Sequence, residues 1–407
     1  MSMKILQLNN FYNEGSTGKI VHDIKAELDS RKIDNIACYG RGNDIKQYGV
    51  VRVCSNFYSK VCKLFSCITG LKYGWCHLST KRIIRIIETE KPDIVHLHCI
   101  NDNIVNIYRI IRFLNENKIE TIITLHAEFL YTANCGYALD CDNWKSGCGQ
   151  CPRLRQETQS FFLDRTHDSW IKLNDSYNNF GDRLHLVSVS PWLYNRVKSG
   201  SMLQSYKNTV ILNGINTDIF YFRKGNLRKK YGIEHGAKVV LHVTASFSRP
   251  IKGGKYVVDL AIRNPDYVFI IIGNDDKEMQ FPKNVIDVGR LFDQNVLADY
   301  YSLSNILLIT SKKETFCMPV AESLCCGTPV VGFFAGAPEE ITIGEYSSFV
   351  EFGNLDLLEI ELKKWINLNI EKERISEEAI KKYSRERMAQ EYIELYYSII
   401  ENSRNIE

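Results

Sequence analysis

The 407-residue sequence has no excess of charge of either sign, its 51 Lys and Arg standing against 48 Asp and Glu. Without a net field, nothing draws the chain as a whole to nucleic acid, and none is expected as a partner. No apolar run approaches 18 residues; runs such as Val268 to Ile272 have the length of buried strands, so no spanning helix is expected. Met1 to Asn9 shows no charged n-region, long apolar stretch or small-residue cleavage site, so a cytoplasmic location is expected. There is no short-period repeat and no low-complexity tract, apart from a Lys- and Glu-rich stretch around 359 to 382 that reads as a solvated helix face. What is there is ordinary, with 44% hydrophobic and 24% charged residues, over a length that exceeds one hydrophobic core. Two domains are expected.

Apolar, β-branched runs alternate with segments of helical period. They lie at Lys4 to Leu8, Asn35 to Tyr39, Asp93 to His98, Thr121 to His126 and His185 to Val189. After the turn dipeptide Asn213-Gly214 the pattern restarts at Val239 to Thr244, Tyr267 to Ile272, Val285 to Val288, Ile306 to Thr310 and Pro329 to Phe333. Such alternation predicts α/β architecture with parallel sheets, a domain over 1–212 and a second over 213–384. Met388, Tyr392, Leu395, Tyr396 and Ile399 recur at helical spacing, which predicts an amphipathic helix over 385–407 that packs back toward the first domain. Doubly wound units bind ligands at the carboxyl ends of their strands, so a cleft between two facing units is the expected site.

The densest chemistry lies between Glu314 and Glu322. Pro319 suits a first helical position, Gly327 suits the residue past the helix end, and Pro329 blocks continuation. A helix starting near Cys317 just after a strand presents backbone N–H groups to a phosphate. Glu314 on the loop could hold sugar hydroxyls, and Glu322 on the helix a ribose diol; taken alone, a pair of glutamates at this spacing arises by chance in many helices.

The whole string, Glu314-Thr315-Phe316-Cys317-Met318 through Glu322 to Gly327-Thr328-Pro329-Val330-Val331, resembles the retaining glycosyltransferases of family 4, whose signature is E-x7-E followed by G-x-P-V-V. It departs from that pattern at Cys317, where glycine is common. Asn213-Gly214-Ile215-Asn216 is similar to the family's interdomain N-G-I-D, and Ser246 to Gly253 to its basic strand-end motif. The resemblance implies a GT-B fold, two facing Rossmann-like domains, and a nucleoside diphosphate sugar as donor, with UDP or GDP as the nucleotide. It implies no catalytic cofactor. It gives Lys252 and Arg249 the departing phosphate, with Lys255 as a substitute for Arg249, and Thr315, Phe316, Cys317 and Met318 the donor. Gly15-Ser16-Thr17-Gly18 resembles the family's glycine-rich loop, and His126, at the end of its strand, the histidine that contacts donor sugar and acceptor. His96 and His98 read as packing. By the same resemblance the acceptor is an oligosaccharide, lipid-linked, of the bacterial surface: O-antigen, capsule or exopolysaccharide. An epimerase or hydrolase on the same fold, or a non-catalytic nucleotide-binding subunit, stays open at this point.

Two features stand outside that frame. Cys135, Cys141, Cys148 and Cys151, within 134–152, have the C-x2-C half of a zinc site and a wider first half; a structural zinc, buried free thiols and a disulfide or redox pair are the readings. From Asn56 to Arg85, Val61, Leu64, Phe65 and Ile68 at helical spacing are interleaved with Lys60, Lys63, Lys72, Lys81, Arg82 and Arg85, which suits either peripheral membrane contact or a core helix with a solvated basic edge.

Overall fold

A computed structural model describes residues 3–404; the ends of the two predicted terminal segments, 1–2 and 405–407, lie outside the described residues. The chain divides into one compact unit of Met1–Leu212 with Met388–Glu407 and another of Asn213–Arg387. Each is a single sheet of parallel strands crossed by helices.

The first unit holds β1 (Lys4–Asn9), β2 (Asp34–Tyr39), β3 (Val50–Arg52), β4 (Ile94–Leu97), β5 (Glu120–Leu125), β6 (Leu184–Ser188) and β7 (Lys207–Val210). They lie in the order β3-β2-β1-β4-β5-β6-β7. In the second unit β8 (Val239–Val243), β9 (Val268–Ile272), β10 (Val285–Gly289), β11 (Ile306–Ile309), β12 (Val330–Phe333) and β13 (Ser347–Val350) are ordered β10-β9-β8-β11-β12-β13. Both sheets grow outward in one direction and then restart on the other side of their first strand. That reversal, between β1 and β4 and again between β8 and β11, is the topological switch point of a doubly wound fold, where crossovers part and a crevice opens.

The central strands are mainly apolar because both faces are covered by helices. Ile5, Ile94, Val95 and Ile122 in one sheet, and Val240, Leu241, Ile306 and Leu307 in the other, are fully buried. The three strands that periodicity does not predict, β3, β7 and β13, are sheet edges of three or four residues, too short to show a period and largely half-exposed. The Arg385–Arg404 helix lays Met388, Tyr392, Tyr396 and Ile399 on the core of the first sheet, against Met3, Ile5, Ile94 and Ile122.

Candidate functional site

The second switch point gathers the predicted donor residues. Beyond β8 the chain turns through Pro250–Lys252 and enters the Gly254–Arg263 helix; beyond β11 it runs through Glu314 into the Met318–Cys325 helix. The two loops are locked together by Gly253, whose φ is +70° and on which a Cβ would stand 2.1 Å from the carbonyl oxygen of Thr310. Only glycine fits there. Thr310 Oγ1 donates to the carbonyl of Lys252, and the Lys252 ammonium meets Glu314 Oε1 at 2.6 Å. Both side chains are largely buried, at 17% and 11% exposure, so the ion pair is screened less than a surface one. Glu314 is itself fixed by its backbone: its N–H donates to Ala335 and its carbonyl accepts from Ala337.

Cys317 precedes the Met318–Cys325 helix with φ +76°, in the left-handed region that a non-glycine residue enters at a cost of about 1–2 kcal/mol. This accounts for glycine being common at the position. Burial first, then the nearby Glu314 carboxylate, push its thiol well above the usual range, so it is a neutral group beside Lys252 and Glu322. Pro319 occupies the second helical position rather than the first, and the N–H of Val320 is bonded to the Cys317 carbonyl. The predicted row of N–H groups from Cys317 to Val320 is therefore shorter, its helix-start donors coming from Cys317 and Met318. No side chain caps this end. Thr315 and Phe316 are buried, Met318 half-buried, and Glu322 accepts a hydrogen bond from Tyr301 Oη at 2.8 Å. Arg249 is exposed at the start of the turn, and Lys255 lies over the ring of Tyr256.

At the first switch point β1 runs out through Asn9 into the Gly15–Ser30 helix, whose first turn holds Gly15, Ser16 and Thr17 and no acidic residue. Gly15 (φ +65°) has open space around its Cβ position, whereas Gly18 packs on the backbone of Phe11. Thr17 accepts a hydrogen bond from Asn9, which also accepts from the N–H of Cys99 at the end of β4. His126, just beyond β5, is buried and hydrogen-bonded through Nε2 to His98 Nδ1 at 3.2 Å; His98 Nε2 in turn meets Gln7 Oε1 at 3.2 Å. These contacts link Gln7, His98 and His126 in one buried chain. Burial drives His126 down to about 3 and His98 well below the ordinary value, so both rings are neutral.

His98 packs as expected, its ring between those of His96 and His126, and it is also hydrogen-bonded to His126 and Gln7. The sequence carried a signal for this arrangement: His96, on β4, and His98, just beyond its end, are two apart and share a face. His96 does pack, between Tyr396 and Thr124.

The four cysteines of 134–152 line one cavity of about 20 Å³, large enough for one water-sized occupant. All four are free thiols. As the side chains stand, no three His, Cys, Asp or Glu among the described residues are arranged to hold a metal ion. Nor does this segment lack a core. Trp144 is buried with its indole N–H on Cys141, its ring 5.0 Å from that of Tyr131 and under the guanidinium of Arg196, and it fills the space that Gly200 leaves.

Residues 223–382 match the family model of the glycosyl transferases group 1. The chain is 25% identical over 205 residues to N-acetyl-alpha-D-glucosaminyl L-malate synthase of Bacillus anthracis, a match covering 46% of this chain and 52% of that protein. It is 22% identical over 365 residues to the colanic acid biosynthesis glycosyl transferase named WcaC of Escherichia coli (strain K12), covering 83% and 85%. Among solved structures it is similar to sucrose-phosphate synthase of Thermosynechococcus elongatus, with a TM-score of 0.71 at 14% identity over 98% of this chain and 100% of that one. Anabaena HepE in complex with UDP-glucose superimposes with a TM-score of 0.65 at 16% identity, over 97% and 100%. The fold is that of GT-B glycosyltransferases, and the unit that brings Lys252, Glu314 and Glu322 together carries a glycosyl transferases group 1 domain.

Proposed function

We propose that the chain is a family 4 type, retaining glycosyltransferase of the cytoplasm, which moves a sugar from a UDP- or GDP-sugar to a growing, lipid-linked oligosaccharide of a bacterial surface. The observation that carries this reading is the Lys252–Glu314 pair at the switch point between β8 and β11, set beside the start of the Met318–Cys325 helix. A cation and helix N–H groups at one strand edge suit a diphosphate. In the proposed reaction the bond from the anomeric carbon to the diphosphate oxygen breaks and a bond to the acceptor oxygen forms on the same face. The acceptor proton goes to the departing phosphate, whose charge Lys252, Arg249 and the helix start stabilise. Glu314 holds hydroxyls of the transferred sugar, Glu322 the ribose, and Thr315 to Met318 line the donor. In the first unit Gly15 to Thr17 and His126 take sugar and acceptor groups. The UDP-glucose named with HepE and the colanic acid named with WcaC support the donor class and the polysaccharide acceptor.

The test is a donor screen. Purified protein is given UDP-, GDP- and ADP-sugars, with and without a lipid-linked acceptor extract, and nucleotide release is followed for wild type and Glu314→Ala. Release that requires acceptor and vanishes in the variant is the expected result. Release without acceptor assigns a hydrolase or epimerase, and absence of binding to every nucleotide removes the proposal.

A structural zinc is proposed for the cysteine-lined cavity, on its shared lining and the C-x2-C spacing; the thiols must close onto the ion. Metal analysis is expected to find one zinc per chain, lost in Cys148→Ser with Cys151→Ser. Metal-free protein with four titratable thiols in this segment leaves the cavity as packing.

A further inference from the structure

The Asn56–Thr69 helix is inside out. Its buried side chains are Ser59, Cys62, Ser66 and Cys67, small and in part polar, while Phe57, Leu64, Phe65 and Ile68 face outward at 45 to 78% exposure. A helix on a globular surface ordinarily turns its large apolar residues to the core. Here they lie on the outer face with Lys60, at the spacing i, i+3, i+7, i+8, i+11 from Phe57.

A second segment extends the same surface. The N–H of Phe161 donates to the Cys67 carbonyl at the helix end, and the backbone of Leu163 crosses directly over Gly70, where a Cβ would stand 2.1 Å from the Leu163 carbonyl oxygen. This contact sets Phe161, Phe162 and Leu163, all exposed and Phe162 at 81%, beside the helix. Apolar side chains from two segments distant in sequence thus share one exposed face, which marks an interaction site rather than scattered surface residues.

Charge identifies the occupant. Between Asp44 and Glu88 the sequence has no acidic residue and eight Lys or Arg. Lys72 is turned inward, its ammonium donating to the carbonyls of Asn134 and Glu157, but Lys60, Lys63, Lys81, Arg82 and Arg85 are exposed. A second copy docked on this face would oppose it with a surface carrying the same cations and no acidic residue of this segment, which leaves Lys60 and Lys63 without a complementary charge. An anionic lipid surface satisfies both halves of the patch, taking the apolar side chains into the headgroup boundary and the cations onto phosphates.

We propose that the face formed by the Asn56–Thr69 helix and residues 161–163 is where the protein lies on an anionic membrane. The inference stands apart from glycosyl transfer, and its test uses no turnover. Full-length protein is co-sedimented at low salt with vesicles of phosphatidylcholine, with and without phosphatidylglycerol. Binding is expected only with phosphatidylglycerol. Lys60→Gln with Lys63→Gln lowers the partition about 30-fold, and Leu64→Asp with Phe162→Asp abolishes it. These positions are exposed, so both variants should melt at the wild-type temperature. Absence of binding to the anionic vesicles overturns the proposal, as does undiminished binding by both variants. A concentration-dependent dimer broken by the same substitutions overturns it too, by assigning the face to a second copy.

Discussion

Lys252→Ala is expected to lower kcat for donor turnover by about 10²- to 10³-fold, the usual loss when one preorganised charge-stabilising group is removed. The ammonium lies 2.6 Å from Glu314 at a position that Gly253 and Thr310 hold in place, so no reorganisation is needed when charge develops on the departing phosphate. A group that acts chiefly on the transition state changes kcat more than the KM of the donor. Lys252→Ala also leaves Glu314 without its cation, which costs stability in a largely buried pair. Kinetics must therefore be read on protein shown to be folded, and Lys252→Arg, which keeps the charge, should recover part of the rate. An alanine enzyme that is folded and turns over like the wild type would take the leaving-group role away from Lys252.

The same loops show what the sequence could and could not say. Central strands were legible because burial on both faces makes them continuous apolar runs, and the punctuation by Pro319, Gly327 and Pro329 located the helix after Glu314 to within one residue. Strand order was not legible, since no local pattern records that β4 lies beside β1 or β11 beside β8. That order is what brings Lys252 to Glu314 across 62 positions of sequence, and Gln7 to His98 across 91.

Outer and inner faces were equally hidden in the Asn56–Thr69 helix. Its periodicity gives the spacing of Leu64, Phe65 and Ile68 but not which way that stripe faces, and only the packing of Ser59, Cys62 and Ser66 settles it. The packing around the cysteine segment was hidden for a related reason. Its cysteine spacing says nothing of Trp144 and the buried carboxylate of Glu128, which pack and tie the segment from outside that spacing.

Glu128→Ala is expected to destabilise the first unit by about 3–5 kcal/mol, the cost of breaking a buried charge pair from one side. The Glu128 side chain is fully buried. Its Oε1 accepts from Arg196 Nε and Nη2, at 3.0 and 2.9 Å, and from Tyr131 Oη at 2.7 Å; Oε2 accepts from the N–H of Ala138 at 2.6 Å. One carboxylate thereby ties the segment following His126 to the Pro191–Lys198 helix and to the cysteine segment, and it positions the guanidinium that covers Trp144. Alanine strands Arg196, Tyr131 and a backbone N–H together, and unsatisfied buried groups dominate large losses of stability. Glu128→Gln keeps acceptor capacity without the charge and should lose less. In Glu128→Ala with Arg196→Ala the loss should be smaller than the two single losses combined, because neither charge is left unpaired. Urea unfolding followed by tryptophan fluorescence measures wild type and all four variants, with the first unit's transition treated separately from the second because a two-unit chain need not unfold in one step. Additive losses across that cycle would mean that Glu128 and Arg196 act independently.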